Sequence, residues 1–137
     1  KNSIKEKTIF SISGDDSDII STYLNNQIGS PKKGGASYLI TVNSKKSVEG
    51  TVIEKDATAS KINIEYNILY EFKNIKQNCL IIKKELKTKS TYDSKSAGYS
   101  FGSDVSEKET STKIIKTNID NFLNDLYLSK ISLSCKK

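Results

Sequence analysis

A chain of 137 residues is the length of one ordinary domain, enough for a single core and too short for a second domain of typical size. Its net charge of +6 comes from 22 basic residues, all of them lysine; arginine and histidine are both absent. Without arginine the bidentate contacts that read guanine and grip phosphate are missing, and without histidine so are imidazole zinc sites, Ser-His-Asp triads and Cys-His pairs.

The positive charge is either a solvated surface or an anion-binding face. No apolar run approaches the roughly 18 residues of a transmembrane helix. No leader opens the sequence, so an export signal is expected to have been removed or to lie ahead of Lys1. We expect one domain over residues 1–137, with an ordered core over 8–128 and tails at 1–7 and 129–137.

The polar start, Lys1 to Lys7, is expected to fray. Thr8 to Ser13 predicts a short strand with Phe10 and Ile12 on one face, ended by Gly14. Asp15 or Asp16 can cap a helix and Asp18 favours its first turn. Ile19, Ile20, Tyr23, Leu24 and Ile28 follow at helical spacing, and Gly29 with Pro31 stops them. Lys32 to Gly35, KKGG, is a turn or, with no other part of a P-loop pattern beside it, a weak phosphate cradle.

Ser37 to Ser44 predicts a second strand, resuming through Val48 to Ile53 after a lysine-rich irregularity, with a bulge at Gly50. The clearest pattern of all is Lys61 to Phe72, KINIEYNILYEF. Ile62, Ile64, Tyr66, Ile68, Tyr70 and Phe72 alternate with mostly polar residues, which predicts a central antiparallel strand with one buried face. Asn74 to Asn78 turns the chain into Cys79 to Tyr92, with Leu80, Ile82 and Leu86 pointing one way.

That last strand carries Lys83, Lys84, Lys87 and Lys89, expected two to each face. They either protect a sheet edge or form an anion-binding strip. Asp93 to Ser103 predicts a Gly/Ser loop whose Tyr99 and Phe101 fold back on the core or mark a surface that enters a partner. Asp104 and Glu107 suit a capping box. Ile115, Ile119, Phe122 and Leu126, flanked by Ile114, Leu123 and Tyr127, give a second amphipathic helix to about Leu128. Cys79 and Cys135 either pair or stay free, and the tail KISLSCKK suggests no role.

The expected fold is therefore α+β: two helices on one face of a mainly antiparallel sheet of about four strands, in the order strand-helix-strand-strand-strand-helix. Three stretches, ASKINIEYNILYEF, KSTYDSKSAGYSFGSDVSEKET and IIKTNIDNFLNDL, resemble the LPS-assembly lipoprotein family (LptE, also called rare lipoprotein B). The match runs through the alternating strand, the aromatic-Asp step at Tyr92-Asp93, the acidic Glu107 and Glu109, and the helix Ile119 to Leu126, covering about Thr8 to Leu128.

The resemblance implies a non-enzymatic assembly factor on the periplasmic face of the outer membrane of a Gram-negative cell. It would plug the barrel protein that inserts lipopolysaccharide and bind that glycolipid. Lys84, Lys87 and Lys89, with Lys83, match the family's basic positions as ligand contacts; Tyr92, Tyr99 and Phe101 would face the barrel. The resemblance implies an N-terminal lipid anchor ahead of these residues; the sequence departs from the family in lacking its leading Cys-Gly-aromatic segment, so these residues themselves do not support lipidation. No cofactor and no nucleic acid are expected.

The alternatives are a basic nucleic-acid-binding domain, with Tyr or Phe on strands where bases could stack, and another periplasmic anion-binding module. An enzyme has little to build on, because Glu65 and Glu71 suit solvated strand positions better than an acid/base pair.

Overall fold

The computed structural model describes residues 4–32, 35–52, 59–95 and 100–128, together with Cys135. The elements are β1 (Thr8–Gly14), α1 (Ser17–Gln27), β2 (Tyr38–Val52), β3 (Ala59–Asn74), β4 (Cys79–Lys95) and α2 (Ser100–Leu128), the expected order. They form a four-stranded sheet in the order β1-β2-β3-β4. β1 runs parallel to β2, and β2, β3 and β4 form an antiparallel meander.

The alternation in β3 decides which face is covered. Ile64, Tyr66, Ile68, Tyr70 and Phe72 are fully buried beneath the helices, and each such side chain contributes about 1.5–3 kcal/mol by leaving water. Ile40 and Val42 of β2 join them, as do Ile20 and Leu24 of α1 and Ile115, Ile119 and Phe122 of α2. The Tyr70 and Phe122 rings stack with centroids 4.1 Å apart, seating α2 on the middle of β3. The odd-numbered side chains of β3 point to the opposite face, which no described element covers.

α1 ends as its residues dictate: Ile28 donates its N–H to the Leu24 carbonyl, and Gly29 follows at φ +86°. Its start differs from expectation. Asp16 occupies the N-cap position but makes no capping hydrogen bond, because its carboxylate is engaged elsewhere. Gly14 is required where β1 leaves the sheet: at φ +95° its Cα lies so close to β2 that a Cβ would stand 2.1 Å from the Ser44 carbonyl oxygen.

Several expectations are corrected. Ile4, in the segment expected to fray, is buried in the core, and the Thr8 hydroxyl donates to its carbonyl at 2.8 Å. β2 runs unbroken past its lysines, with Gly50 opposite Ile62, so Gly50 makes no bulge. The irregularity lies between Phe72 and Lys73, where the pairing with β4 slips from Ile82 to Leu80. This slip leaves Leu80 largely exposed instead of beside Ile82 and Leu86.

The expected loop from Asp93 to Ser103 is shorter than predicted, because β4 continues to Lys95 and α2 begins at Ser100. Glu107 consequently lies two turns inside α2 and cannot be part of a capping box at its start. At the turn after Lys32, the Gly35 N–H donates to the Lys32 carbonyl at 3.2 Å, while residues 33 and 34 lie outside the described residues. Cys79 and Cys135 form a disulfide, which gives the C-terminal tail a fixed point at the start of β4.

Candidate functional site

Strand parity sorts the four lysines of β4 differently from the expected two and two. Lys84 pairs in register with Tyr70 and so belongs to the helix face, while Lys83, Lys87 and Lys89 pair with Glu71, Asn67 and Glu65 on the open face. Lys84 forms an ion pair with Asp125 of α2. Lys83 lies 3.9 Å from Glu71. Lys87 and Lys89 are exposed and form no ion pair among the described residues.

The register also brings in β2. Lys45 lies opposite Asn67, which lies opposite Lys87, so three strands set one lysine on either side of a central amide. With neighbouring strands about 4.8 Å apart, the two lysine backbones are about 10 Å from each other, a span that two flexible ammonium arms can close around one phosphate or carboxylate group. Lys89 stands two residues along β4 on the same face.

Each other row of this face carries at most one uncompensated charge. Among the described residues the uncovered faces of β2, β3 and β4 carry Lys45, Lys61, Lys73, Lys83, Lys87 and Lys89 against Glu49, Glu65, Glu71, Glu85 and Asp93. The row Lys45–Asn67–Lys87 alone among them has two cations and no carboxylate. A hollow of about 560 Å³ opens on this face beside Lys89, lined by Ser47, Glu49, Asn63, Glu65 and Thr91.

The partner residues expected around the last loop are placed differently. Tyr92 packs against the core, and its hydroxyl lies 3.3 Å from Glu107. Tyr99 lies outside the described residues, as does the Phe101 side chain, although the Phe101 backbone is in α2.

A second polar cluster, which the sequence pattern did not reveal, lies on the helix face around Lys46. Its ammonium group is 2.8 Å from Glu107 and 4.0 Å from Asp16, and its backbone N–H donates to Asp15 at 2.7 Å. Tyr66 donates its hydroxyl to Asp16. Burial, then that carboxylate, hold the Tyr66 phenol well above its ordinary range, whereas the Lys46 hydrogen bond outweighs burial and draws Glu107 below the usual carboxylate value. Continuing the β2 alternation from Ile40 and Val42 through Ser44 would have placed Lys46 inward.

Asn118 was also missed. It is fully buried on the apolar stripe of α2, accepts the Tyr70 hydroxyl at 2.6 Å and donates to the Leu86 carbonyl at 2.9 Å and to Thr88 at 3.0 Å. These contacts use three of its hydrogen-bonding positions. Both polar groups hold helices to the sheet on its covered face.

Neither a family model nor a curated protein matches the chain. Solved structures do match. A minor lipoprotein from Acinetobacter baumannii is similar over 97% of this chain and 99% of its own, with a TM-score of 0.65 at 11% identity. A proposed lipoprotein from Caulobacter crescentus is similar over 91% of each chain, with a TM-score of 0.63 at 14% identity. Rare lipoprotein B from Shewanella oneidensis aligns over 86% of this chain and 92% of its own at 9% identity, with a TM-score of 0.49, too low to carry an argument. The Acinetobacter and Caulobacter structures establish that this chain has a fold found among bacterial lipoproteins.

Proposed function

We propose that this chain is a non-enzymatic, lipid-anchored assembly factor at the periplasmic face of the outer membrane, binding lipopolysaccharide on its open sheet face and plugging the barrel that inserts it. The observation that carries this reading is the Lys45–Asn67–Lys87 row, with Lys45, Lys87 and the neighbouring Lys89 exposed on a face that no described element covers. Ammonium groups act there as point charges toward phosphates and acidic sugars. The fold shared with lipoproteins and a disulfide suited to an oxidising compartment support the location.

Within this reading Lys84 serves the fold and Lys83 is partly neutralised by Glu71, so the ligand contacts centre on Lys45, Lys87 and Lys89. Tyr99 and Phe101 remain the proposed barrel contacts, and Tyr92 supports the core beneath α2. A nucleic-acid reading finds no stacking platform among the described residues. Tyr66, Tyr70 and Phe72 are fully buried, and the described open face carries no aromatic side chain.

Co-expression with the outer-membrane assembly barrel of the same genome, followed by affinity capture in detergent, tests the plug. A stable one-to-one complex is expected. A chain that purifies alone while the barrel folds normally overturns it.

A further inference from the structure

The end of the sheet at which β3 turns into β4 gathers lysines from three separate stretches of chain. Lys5 and Lys7 precede β1, Lys32 lies between α1 and β2, and Lys76 lies in the β3–β4 turn; all four are exposed. They line one hollow of about 300 Å³. Glu6 is the carboxylate among its lining residues, and it lies 3.3 Å from Lys32. Lys5, Lys7 and Lys76 form no ion pair among the described residues.

Backbone hydrogen bonds fix these stretches to one another. The Lys32 N–H donates to the Glu6 carbonyl at 3.2 Å, the Ser37 N–H to the Lys7 carbonyl at 2.7 Å, and the Ile75 N–H to the Ser37 carbonyl at 2.9 Å. Glu6 itself takes φ +59°, a left-handed conformation uncommon for a residue with a Cβ, and turns the chain where Lys5 and Lys7 both reach the hollow. Three like charges held together without a counter-charge raise a positive potential that an anion relieves.

Apolar side chains surround the same end. Ile75 in the turn and Leu80 at the start of β4 are exposed, and so is Leu128. Tyr92 meets Glu107 and Lys84 meets Asp125, so α2 runs back along β4 and ends toward the start of that strand. A free phosphate ion gains nothing from these apolar tips, whereas an anionic bilayer takes both, phosphates to the lysines and apolar side chains into the interface. Ile4, the first described residue, is tied to Lys7 at this end, so an anchor ahead of it would hold this end toward a membrane.

We propose that this end of the domain docks on a bilayer of anionic phospholipid, with a headgroup phosphate in the hollow between Lys5, Lys7 and Lys76 and with Ile75 and Leu80 entering the interface. The inference deepens the lipid-anchored reading and rests on it for the presence of a membrane; the hollow itself lies apart from the Lys45–Asn67–Lys87 row.

Co-sedimentation of the unacylated chain with vesicles tests it. At low ionic strength the chain should bind vesicles of mixed phosphatidylglycerol and phosphatidylcholine and leave vesicles of phosphatidylcholine alone. The Lys5→Gln, Lys7→Gln, Lys76→Gln variant should bind about tenfold or more weakly, since each lysine near an anionic surface strengthens partitioning several-fold. Lys45→Gln, Lys87→Gln, Lys89→Gln removes the same charge from the open face and should bind close to the unaltered chain. Equal weakening by the two variants would mean a general charge effect and overturns the proposal, as does binding no tighter to anionic vesicles than to neutral ones. Release by inorganic phosphate at constant ionic strength would assign the hollow to a free ion and also overturns it. Because no lipopolysaccharide, barrel or acyl chain is present, these failures are distinct from failure of the assembly-factor reading, which barrel capture reports.

Discussion

Asn118 shows how much one polar side chain can hold in place. It lies between a tyrosine hydroxyl of β3 and two acceptors of β4, and its removal would leave the Tyr70 hydroxyl buried without a partner. Asn118→Ala is expected to cost about 2–3 kcal/mol, the range for orphaned buried polar groups, measurable as a lower urea midpoint with an unchanged slope. A midpoint within error of the original would mean that the network contributes little. Lys84 makes a contrasting case. Because its partner is Asp125 and both are part-exposed, Lys84→Gln should cost under about 1 kcal/mol and leave anion binding on the other face intact.

At the scale of elements, the Lys46 cluster couples the β1–α1 turn and β2 to the first half of α2. Since the folded structure holds Glu107 below its ordinary value, the contact stabilises fully above the unfolded carboxylate value and is lost as pH falls through the lower, folded one. Glu107 is 40% exposed, so the loss is small, under about 1 kcal/mol. Amide protection relative to the intrinsic exchange rate should therefore fall around Glu107 in α2 on acidification, and Glu107→Gln should remove that acid dependence. An acid dependence that persists in the variant would assign it to another carboxylate.

The same scale separates what was legible in the sequence from what was not. Period-two and helical spacing state one requirement, burial of an apolar face, so β3, α1 and the apolar stripe of α2 could be recognised directly. Lys46 and Asn118 violate that pattern locally and are satisfied only by residues 20 or more positions away, in other elements. The slip after Phe72 depends on how β4 meets β3, which a single strand's alternation does not encode. Parity alone sets Lys83, Lys87 and Lys89 on one face and Lys84 on the other, not the expected two on each. Lys45 became part of the candidate site only when the β2 register set it beside Asn67.

For the whole molecule, the disulfide closes a loop between residues 56 apart in sequence and fixes Cys135 beside the β3–β4 turn, where its N–H donates to Gln77 at 2.7 Å. The loop-entropy model gives up to about 4 kcal/mol for such a closure. Reduction is expected to lower the thermal midpoint by several degrees or more, and the Cys79→Ala, Cys135→Ala double variant should match the reduced protein. A double variant as stable as the oxidised chain would show that the tail contributes nothing.

The same whole-molecule view makes one face of the sheet structural and the other available. Titration of purified lipopolysaccharide into the chain at low ionic strength, followed by isothermal calorimetry, measures this most directly. Replacement of Lys45, Lys87 and Lys89 together by glutamine should weaken binding about tenfold or more, as expected for removing three charge-assisted contacts, while Lys83→Gln, Lys84→Gln stays close to the original. Equal binding by the triple variant and the unaltered chain would contradict the assignment of the open face to glycolipid.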